Sequence, residues 1–120
     1  MAIVLNHTIV PARDQAKSAK HFAKLFGLTA ETFAHFDVVR INDQLSLDFA
    51  SWFDFAIHHY AFHVSDQEFD EIFGRVKAAG IEYAADPAFS MKGRINRRSG
   101  GRGVYFHDLD GHVLELLTRT

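Results

Sequence analysis

The second half of the chain repeats the order of the first, and this repeat limits the folds that the chain can adopt. Three pairs of residues match between the halves at one offset: His7 with His59, Asp14 with Asp66, and Gln15 with Gln67. In both halves the matched histidine lies in an apolar, strand-like run, and the matched aspartate lies where a helix would begin. A repeated supersecondary unit predicts two similar modules.

Each half predicts one strand, one helix and then further strands. Apolar runs predict strands in the first half at 3–10, 31–36, 37–41 and 44–50, and in the second at 58–64, 81–84, 89–91, 103–107 and 112–117. The first helix has a capping residue, Asp14, at its start and Gly27 after its end. The second begins at Ser65, with Glu68 at capping-box spacing, and ends at Gly80. This order predicts an α+β fold of two βαβββ modules.

Length and composition bound the class of protein. A chain of 120 residues predicts a single domain, with module one at about 1–50, a linker at 51–57 and module two at about 58–120. The absence of cysteine excludes disulfides and thiolate metal sites. A formal charge of -2 gives no general attraction to nucleic acid or to anionic membranes. Since no apolar run could span a membrane and no basic leader opens the chain, we expect a cytoplasmic protein.

Four polar residues lie in otherwise apolar strands, at matching places in the two modules. They are His7 and His59 in the opening strands, and Asp48 and Glu115 in the final strands. Strand alternation turns both carboxylates away from the apolar residues beside them. Two imidazoles with one or two carboxylates suit a divalent metal ion that keeps positions open for substrate. A single strand histidine or glutamate is more often an ordinary polar residue, so the pattern alone leaves both interpretations open.

The sequence resembles a known superfamily over nearly its whole length. The segment 101–116 reads GRGVYFHDLDGHVLEL and resembles the C-terminal signature of the vicinal oxygen chelate superfamily, with Leu109 where the family turn has proline. The segments 5–10, LNHTIV, and 59–62, HYAF, resemble the openings of its two modules. The resemblance implies a glyoxalase-like, cupped and barrel-like mixed sheet. It also implies a homodimer.

The resemblance further implies a set of site residues. His7, His59 and Glu115 correspond to the metal ligands, so one divalent ion per site is expected, with Mn, Fe, Co, Ni and Zn all compatible. Asp48 corresponds to a fourth ligand in glyoxalases, although it could instead act as a general base or hold a metal-bound water. Tyr105 matches a tyrosine that faces the pocket in fosfomycin-resistance relatives, which implies substrate contact.

A basic segment between the third and fourth strands of module two has two interpretations. The segment 92–102 carries Arg94, Arg97, Arg98 and Arg102 among glycines. It is either a solvated loop or a mobile lid whose guanidinium groups bind a substrate anion. We expect His63, on the same strand face as His59, to lie at the rim of the pocket.

The resemblance implies a small-molecule substrate that chelates the metal through neighbouring oxygens. A glyoxalase-type lyase or isomerase is the first expectation, because Asp48 keeps a carboxylate at the fourth place. One alternative is a thiol transferase of the fosfomycin-resistance type. The other is a non-catalytic drug binder of the bleomycin-resistance type, which would need no metal.

Overall fold

The structure, a computed structural model, describes residues 3–120, so the first two residues of predicted module one lie outside the described residues. Apart from the strand predicted at 89–91, its helices and strands follow the predicted order. They are β1 (His7–Ala12), α1 (Gln15–Phe26), β2 (Ala30–Phe33), β3 (Phe36–Arg40), β4 (Ser46–Ser51), β5 (His59–His63), α2 (Asp66–Ala78), β6 (Tyr83–Ala84), β7 (Gly103–His107) and β8 (Val113–Leu117). A short 3-10 helix, Arg98–Gly100, lies between β6 and β7.

The strands form two mixed sheets with the same topology. The first has the order β1-β4-β3-β2 and the second β5-β8-β7-β6. In each sheet the opening strand runs parallel to the final strand, and the other pairs are antiparallel. The predicted α+β fold of two βαβββ modules is therefore confirmed. The chain divides into two compact units, which we call unit one, ending at Ala56, and unit two, Ile57–Thr120.

In unit one, helix α1 covers one face of the sheet. The Asp14 side chain accepts from the Lys17 amide at the start, and Gly27 takes the left-handed conformation, with φ 70°, at the end. The helix packs against β3 and β4. Its buried residues are Ser18, Ala19, Phe22, Ala23 and Leu25. Both predicted caps are therefore confirmed, and the helix leaves the opposite face of the sheet uncovered by its own unit.

Strand β1 begins later and ends later than predicted. The exposed residues 3–6 precede it, and Pro11, the residue after the predicted end of the strand, pairs with Ala50 inside it. Because β1 is an edge strand, the absence of an amide hydrogen on proline leaves no gap in the ladder when that position faces outward. The parallel pairing with β4 therefore continues to Ala12.

In unit two, helix α2 starts with the predicted capping box between Ser65 and Glu68. The helix lies against the sheet face that buries Leu114 and Phe106, because Phe73 of α2 contacts Tyr83, the cross-strand partner of Phe106. The odd-numbered residues of β8 and β7 therefore point to the other face. We call that other face, which carries His59, Glu115, Tyr105 and His107, the site face.

The strand registers repeat between the two units. Glu115 lies between Ala61 of β5 and Tyr105 of β7, whereas Asp48 lies between Ile9 of β1 and Val38 of β3. The same correspondence holds two residues along the strands. There the cross-strand neighbours in unit two are His59, Val113 and His107, and those in unit one are His7, Ser46 and Arg40. The offset read from the sequence thus holds for the opening strands β1 and β5, whereas the third and fourth strands are equivalent at a larger offset, because the second unit carries the longer segment between β6 and β7.

The strand predicted at 89–91 was wrong. Phe89 has a φ of 57° and belongs to a turn. The basic segment that follows is tied to the sheet by isolated bridges between Ala84 and Lys92 and between Asn96 and Gly103. The Asn96 side chain also donates to the carbonyl oxygen of Ala85 at 2.9 Å. The segment 92–102 is therefore anchored at several points.

Within residues 3–120, neither helix has the length and apolar character that crossing a membrane requires. The cytoplasmic location stays a prediction.

Candidate metal and substrate site

A histidine and a glutamate face each other on the site face of unit two. His59 Nε2 lies 3.0 Å from Glu115 Oε1. The His59 side chain is 48% exposed and that of Glu115 is 15% exposed. The two residues come from the parallel strands β5 and β8. His59 pairs with Val113, which lies two residues before Glu115 on β8, so the sheet itself sets their separation. Two of the three predicted metal ligands are thus adjacent.

Tyr105 and Arg98 lie beside this pair. Tyr105 is the cross-strand partner of Glu115, is 2% exposed, and has its ring centroid 5.9 Å from that of His59. Arg98 Nη1 donates to the Tyr105 hydroxyl at 2.8 Å, with its guanidinium carbon 5.6 Å from the ring centroid. The predicted tyrosine therefore lies next to the candidate ligands, and one arginine of the basic segment is held against it.

The electrostatics around Tyr105 favour its neutral form. Burial raises the pKa of the phenol above its usual value, and the negative charge of Glu115 adds to this, while the hydrogen bond from Arg98 opposes it. Because the Arg98 guanidinium has no lone pair to offer, the phenol accepts from Arg98 and keeps its own proton. The neutral Tyr105 thus lies across the strands from the Glu115 carboxylate.

The equivalent residues of unit one line an open cavity of about 470 Å³. Its walls are formed by Asn6, His7, Thr29, Glu31, Phe33, Phe36, Val38, Arg40, Ser46 and Asp48. Asp48 Oδ1 accepts from the Ser46 hydroxyl at 2.8 Å, and His7 Nδ1 lies 2.8 Å from Asn6 Oδ1. His7 and Asp48 therefore share a cavity, but each is hydrogen-bonded to its own neighbour.

Imidazole nitrogen and carboxylate oxygen suit a divalent ion of borderline or hard character, and the chain holds no thiolate. Within residues 3–120, no three histidine, aspartate or glutamate side chains gather as a metal-binding cluster. The pair in unit two supplies two donors, and His7 belongs to unit one. The ligand set His7, His59 and Glu115 stays a prediction, and its donor chemistry fits such an ion.

The other predicted substrate-binding residues have different surroundings. Arg102 donates to Asp70 of α2 at 2.7 Å and to Asp66 at 3.0 Å, so it is bound to the helix. Arg94 and Arg97 are exposed. His63 Nε2 lies 3.1 Å from the carbonyl oxygen of Thr118. Of the four arginines, Arg98 is the one that reaches Tyr105.

The strand that carries His59 is anchored by a residue given no role in the sequence analysis. His112 is fully buried, and its Nδ1 accepts from the amide of His58 at 2.9 Å. Its own amide donates to Asp108 Oδ1 at 2.9 Å, within the turn between β7 and β8. The sequence offered one signal for this role, a histidine directly after the Asp108–Gly111 turn. It could not show that the histidine is buried, because burial depends on tertiary packing.

A second missed pair is the stack of Phe89 on His107. The ring centroids are 4.3 Å apart and the ring planes differ by 14°. His107 shares the site face with Tyr105, two residues away on β7. Strand alternation could have placed His107 on this face, whereas the position of Phe89 depends on the fold of the segment between β6 and β7.

Comparison with known proteins is consistent with this geometry, although no family model matches the sequence. Glutathione transferase FosA from Serratia marcescens is 30% identical over 120 residues, which is 93% of this chain and 78% of FosA. Metallothiol transferase FosB from Staphylococcus haemolyticus is 26% identical and covers 95% of this chain and 82% of FosB.

Two solved structures, both named as oxidases, superpose along the whole chain. Oxidase ChaP-H1 is 48% identical, with a TM-score of 0.95 over 99% of this chain and 98% of its own. Oxidase ChaP-H2 is 45% identical, with a TM-score of 0.96 over 100% and 96%.

The repeated βαβββ units thus define a glyoxalase-like α+β fold, which these solved structures share. The chain is a member of the vicinal oxygen chelate superfamily, as its sequence signature implied. The comparisons support a metal-dependent enzyme.

Proposed function

We propose that the protein is a metal-dependent oxidase, which uses dioxygen to oxidise a small molecule that binds the metal through two neighbouring oxygen atoms. The proposal is supported by 45–48% identity over the full chain to two proteins named as oxidases, against 26–30% to the transferases. The expectation of a lyase or isomerase stays a prediction.

The observation that carries the proposal is the 3.0 Å approach of His59 Nε2 to Glu115 Oε1. With His7 as the third ligand, the donor set is two imidazoles and one carboxylate. A metal ion held by these three ligands, with its other coordination positions open, is typical of non-haem iron(II) oxygenases. Iron(II) is therefore the ion that we expect to support activity.

The residues around the pair have distinct proposed roles. A bound divalent ion would supply Lewis acidity toward two substrate oxygens. The Tyr105 hydroxyl holds a proton beside Glu115 and can deliver it to a substrate oxygen, while Arg98 orients the phenol and offers a positive charge to an anionic substrate. For Asp48, the hydrogen bond from Ser46 supports the role of general base rather than that of ligand.

Thiol transfer is the second candidate. It is supported by the similarity to glutathione transferase FosA and by the position of Arg98, which would suit the oxyanion of a substrate such as fosfomycin. A non-catalytic drug binder would require neither a metal nor the His59–Glu115 pair.

Metal analysis of protein purified without an affinity tag tests the common part of these proposals. We expect one divalent ion per chain, strongly reduced uptake in His59→Ala and Glu115→Gln, and reduced uptake in His7→Ala. His35→Ala, at an exposed position in the turn between β2 and β3, is the matched control and should bind metal normally. Wild-type protein that takes up no metal while still binding a drug would favour the non-catalytic binder.

The reaction type is tested with the iron-loaded protein. The oxidase proposal predicts consumption of dioxygen with members of a panel of catechols and related vicinal-oxygen compounds, and no consumption in Glu115→Gln. Conjugation of glutathione to fosfomycin without dioxygen uptake would support thiol transfer instead. Turnover of lactoylglutathione would support the lyase prediction.

We also propose that the protein is a homodimer whose ligands are shared between two chains, with His7 from one and His59 with Glu115 from the other. Mixing His7→Ala chains with Glu115→Gln chains tests this arrangement, because each mixed dimer would then hold one intact site. Random pairing would restore about a quarter of the wild-type metal content. If all three ligands came from one chain, mixing would restore none.

A further inference from the structure

His107 is an exposed imidazole whose orientation is fixed by stacking. Its ring lies almost parallel to that of Phe89, at 4.3 Å between centroids. Within residues 3–120, no backbone or side-chain group hydrogen-bonds to its ring nitrogens. Because stacking on one ring face fixes the orientation of His107 and leaves both ring nitrogens free, the imidazole can hydrogen-bond to a ligand without first reorienting.

Phe89 reaches this position through a strained turn. Its φ of 57° is in the left-handed region, which a bulky residue rarely adopts. Asp86 holds the turn, since its side chain accepts from the Ser90 amide at 3.1 Å, the Ser90 hydroxyl at 2.6 Å and the Met91 amide at 2.8 Å. Three hydrogen bonds therefore hold the strained backbone at Phe89. Because such strain is often kept at functional sites, the His107 ring that Phe89 positions is a candidate functional group.

His107 lies on the same face as the candidate metal ligands, at a defined distance from them. It is the cross-strand partner of Val113, which pairs on its other side with His59. Two inter-strand spacings separate His59 from His107, so their Cα atoms are roughly 10 Å apart. Within residues 3–120 His107 does not join a metal-binding cluster, and the spacing matches a substrate that reaches from the metal across β8 to β7.

We propose that His107 is a specificity-determining residue, which hydrogen-bonds to an oxygen of the substrate at the end away from the metal. Phe89 is the positioning residue that fixes the His107 ring. The proposal rests on the proposed function, because it requires a substrate whose other end binds at His59 and Glu115. It names a substrate class: a molecule with a vicinal oxygen pair at one end and a hydrogen-bond acceptor or donor at the other end, across β8 from the metal.

The test compares two probes on the cobalt(II)-loaded protein. Catechol carries only the vicinal oxygen pair, whereas alizarin adds fused rings with a carbonyl oxygen on the side away from the diol. We expect His107→Leu to weaken alizarin binding about tenfold, the loss typical of one hydrogen bond, and to change catechol binding by less than about twofold. Phe89→Gly, which removes the ring and relieves the positive φ, should weaken alizarin binding in the same way. His35→Leu is the control and should change neither affinity.

The outcomes separate this inference from the function on which it rests. If His107→Leu keeps wild-type affinity for alizarin while cobalt and catechol bind normally, the role of His107 is refuted and the metal site stands. If the wild-type protein binds alizarin no more tightly than catechol, the role of His107 is refuted as well. If the wild-type protein takes up no cobalt or binds no catechol, the proposed function fails, and the inference fails with it.

Discussion

Replacing Arg102 by methionine should destabilise unit two without weakening substrate binding. The Arg102 side chain is 21% exposed and links the start of β7 to helix α2 through Asp66 and Asp70. Its guanidinium carbon also lies 4.4 Å from the centroid of the Phe69 ring. The hydrogen bond with Asp70 raises the pKa of Arg102 above its usual value, so the side chain is charged at every pH of interest.

The size of the effect follows from these contacts. Both aspartates are largely exposed, at 80% and 67%, so each ion pair contributes about 0.2–1 kcal/mol. The contact with the buried Phe69 adds about 0.5–1 kcal/mol. Methionine keeps an apolar stem, so Arg102→Met should lower the free energy of unfolding by about 1–2 kcal/mol and the melting temperature by roughly 3–10 °C.

Urea unfolding at low and at high salt measures both parts of this effect. Near 1 M salt the Debye length is about 3 Å, so the ion-pair part of the difference should shrink and the Phe69 part should remain. Arg97→Met, at an exposed arginine in the same segment, should change stability by less than about 0.5 kcal/mol. Unchanged stability in Arg102→Met, together with weaker alizarin binding, would refute this reasoning and return Arg102 to the substrate site.

Three further predictions concern buried and half-buried groups. Burial first, and the charge of Asp108 second, raise the pKa of Tyr60 from 10.0 to about 12, so wild-type stability should fall as pH rises from 10 toward 12. Tyr60→Phe should lack this alkaline loss in urea unfolding; an equal loss in both proteins would contradict the assignment. Burial also raises the pKa of Asp108 above 3.8, although His112 opposes the shift. Wild-type stability should therefore fall relative to Asp108→Asn as pH rises from 3.8 through the raised pKa, and parallel pH profiles would argue against it. Phe106→Ala should cost about 3–5 kcal/mol in chemical denaturation because Phe106 is 0% exposed, and a cost no larger than that of the fully exposed control Phe53→Ala would show that this core is misplaced.

Much of the fold could be predicted because its signals are local. The helix caps at Asp14, Gly27 and Ser65 act within a few residues of the chain, and the periods of apolar residues separate strands from helices. The offset that lays His7 on His59 predicted the shared topology of the two sheets. Of the two failures, the one at Phe89 is local, whereas the one at Pro11 depends on the place of β1 in the sheet. An edge strand tolerates the proline, and the side chain of Asp86 bends the chain at the phenylalanine.

The candidate site was predicted only in part. Alternation and resemblance singled out Glu115 and Tyr105, because residue type and sheet face can be read from sequence. The same reasoning could not separate Arg98 from Arg102, since both lie in one basic segment and differ only in what they meet after folding. It also passed over His107, because nothing in the sequence near His107 indicates that Phe89 stacks on it.

The amino-acid sequence by itself determined the two βαβββ units, the face of each strand and the chemical types available for a metal site. These properties depend on periodicity and capping, which act between residues close together in the chain. Tertiary structure alone decided that His59 meets Glu115 at hydrogen-bonding distance and that Arg98 turns to Tyr105 while Arg102 turns to helix α2. Such contacts join residues far apart in the chain, and their energies depend on distance and burial, which exist only once the sheets have formed.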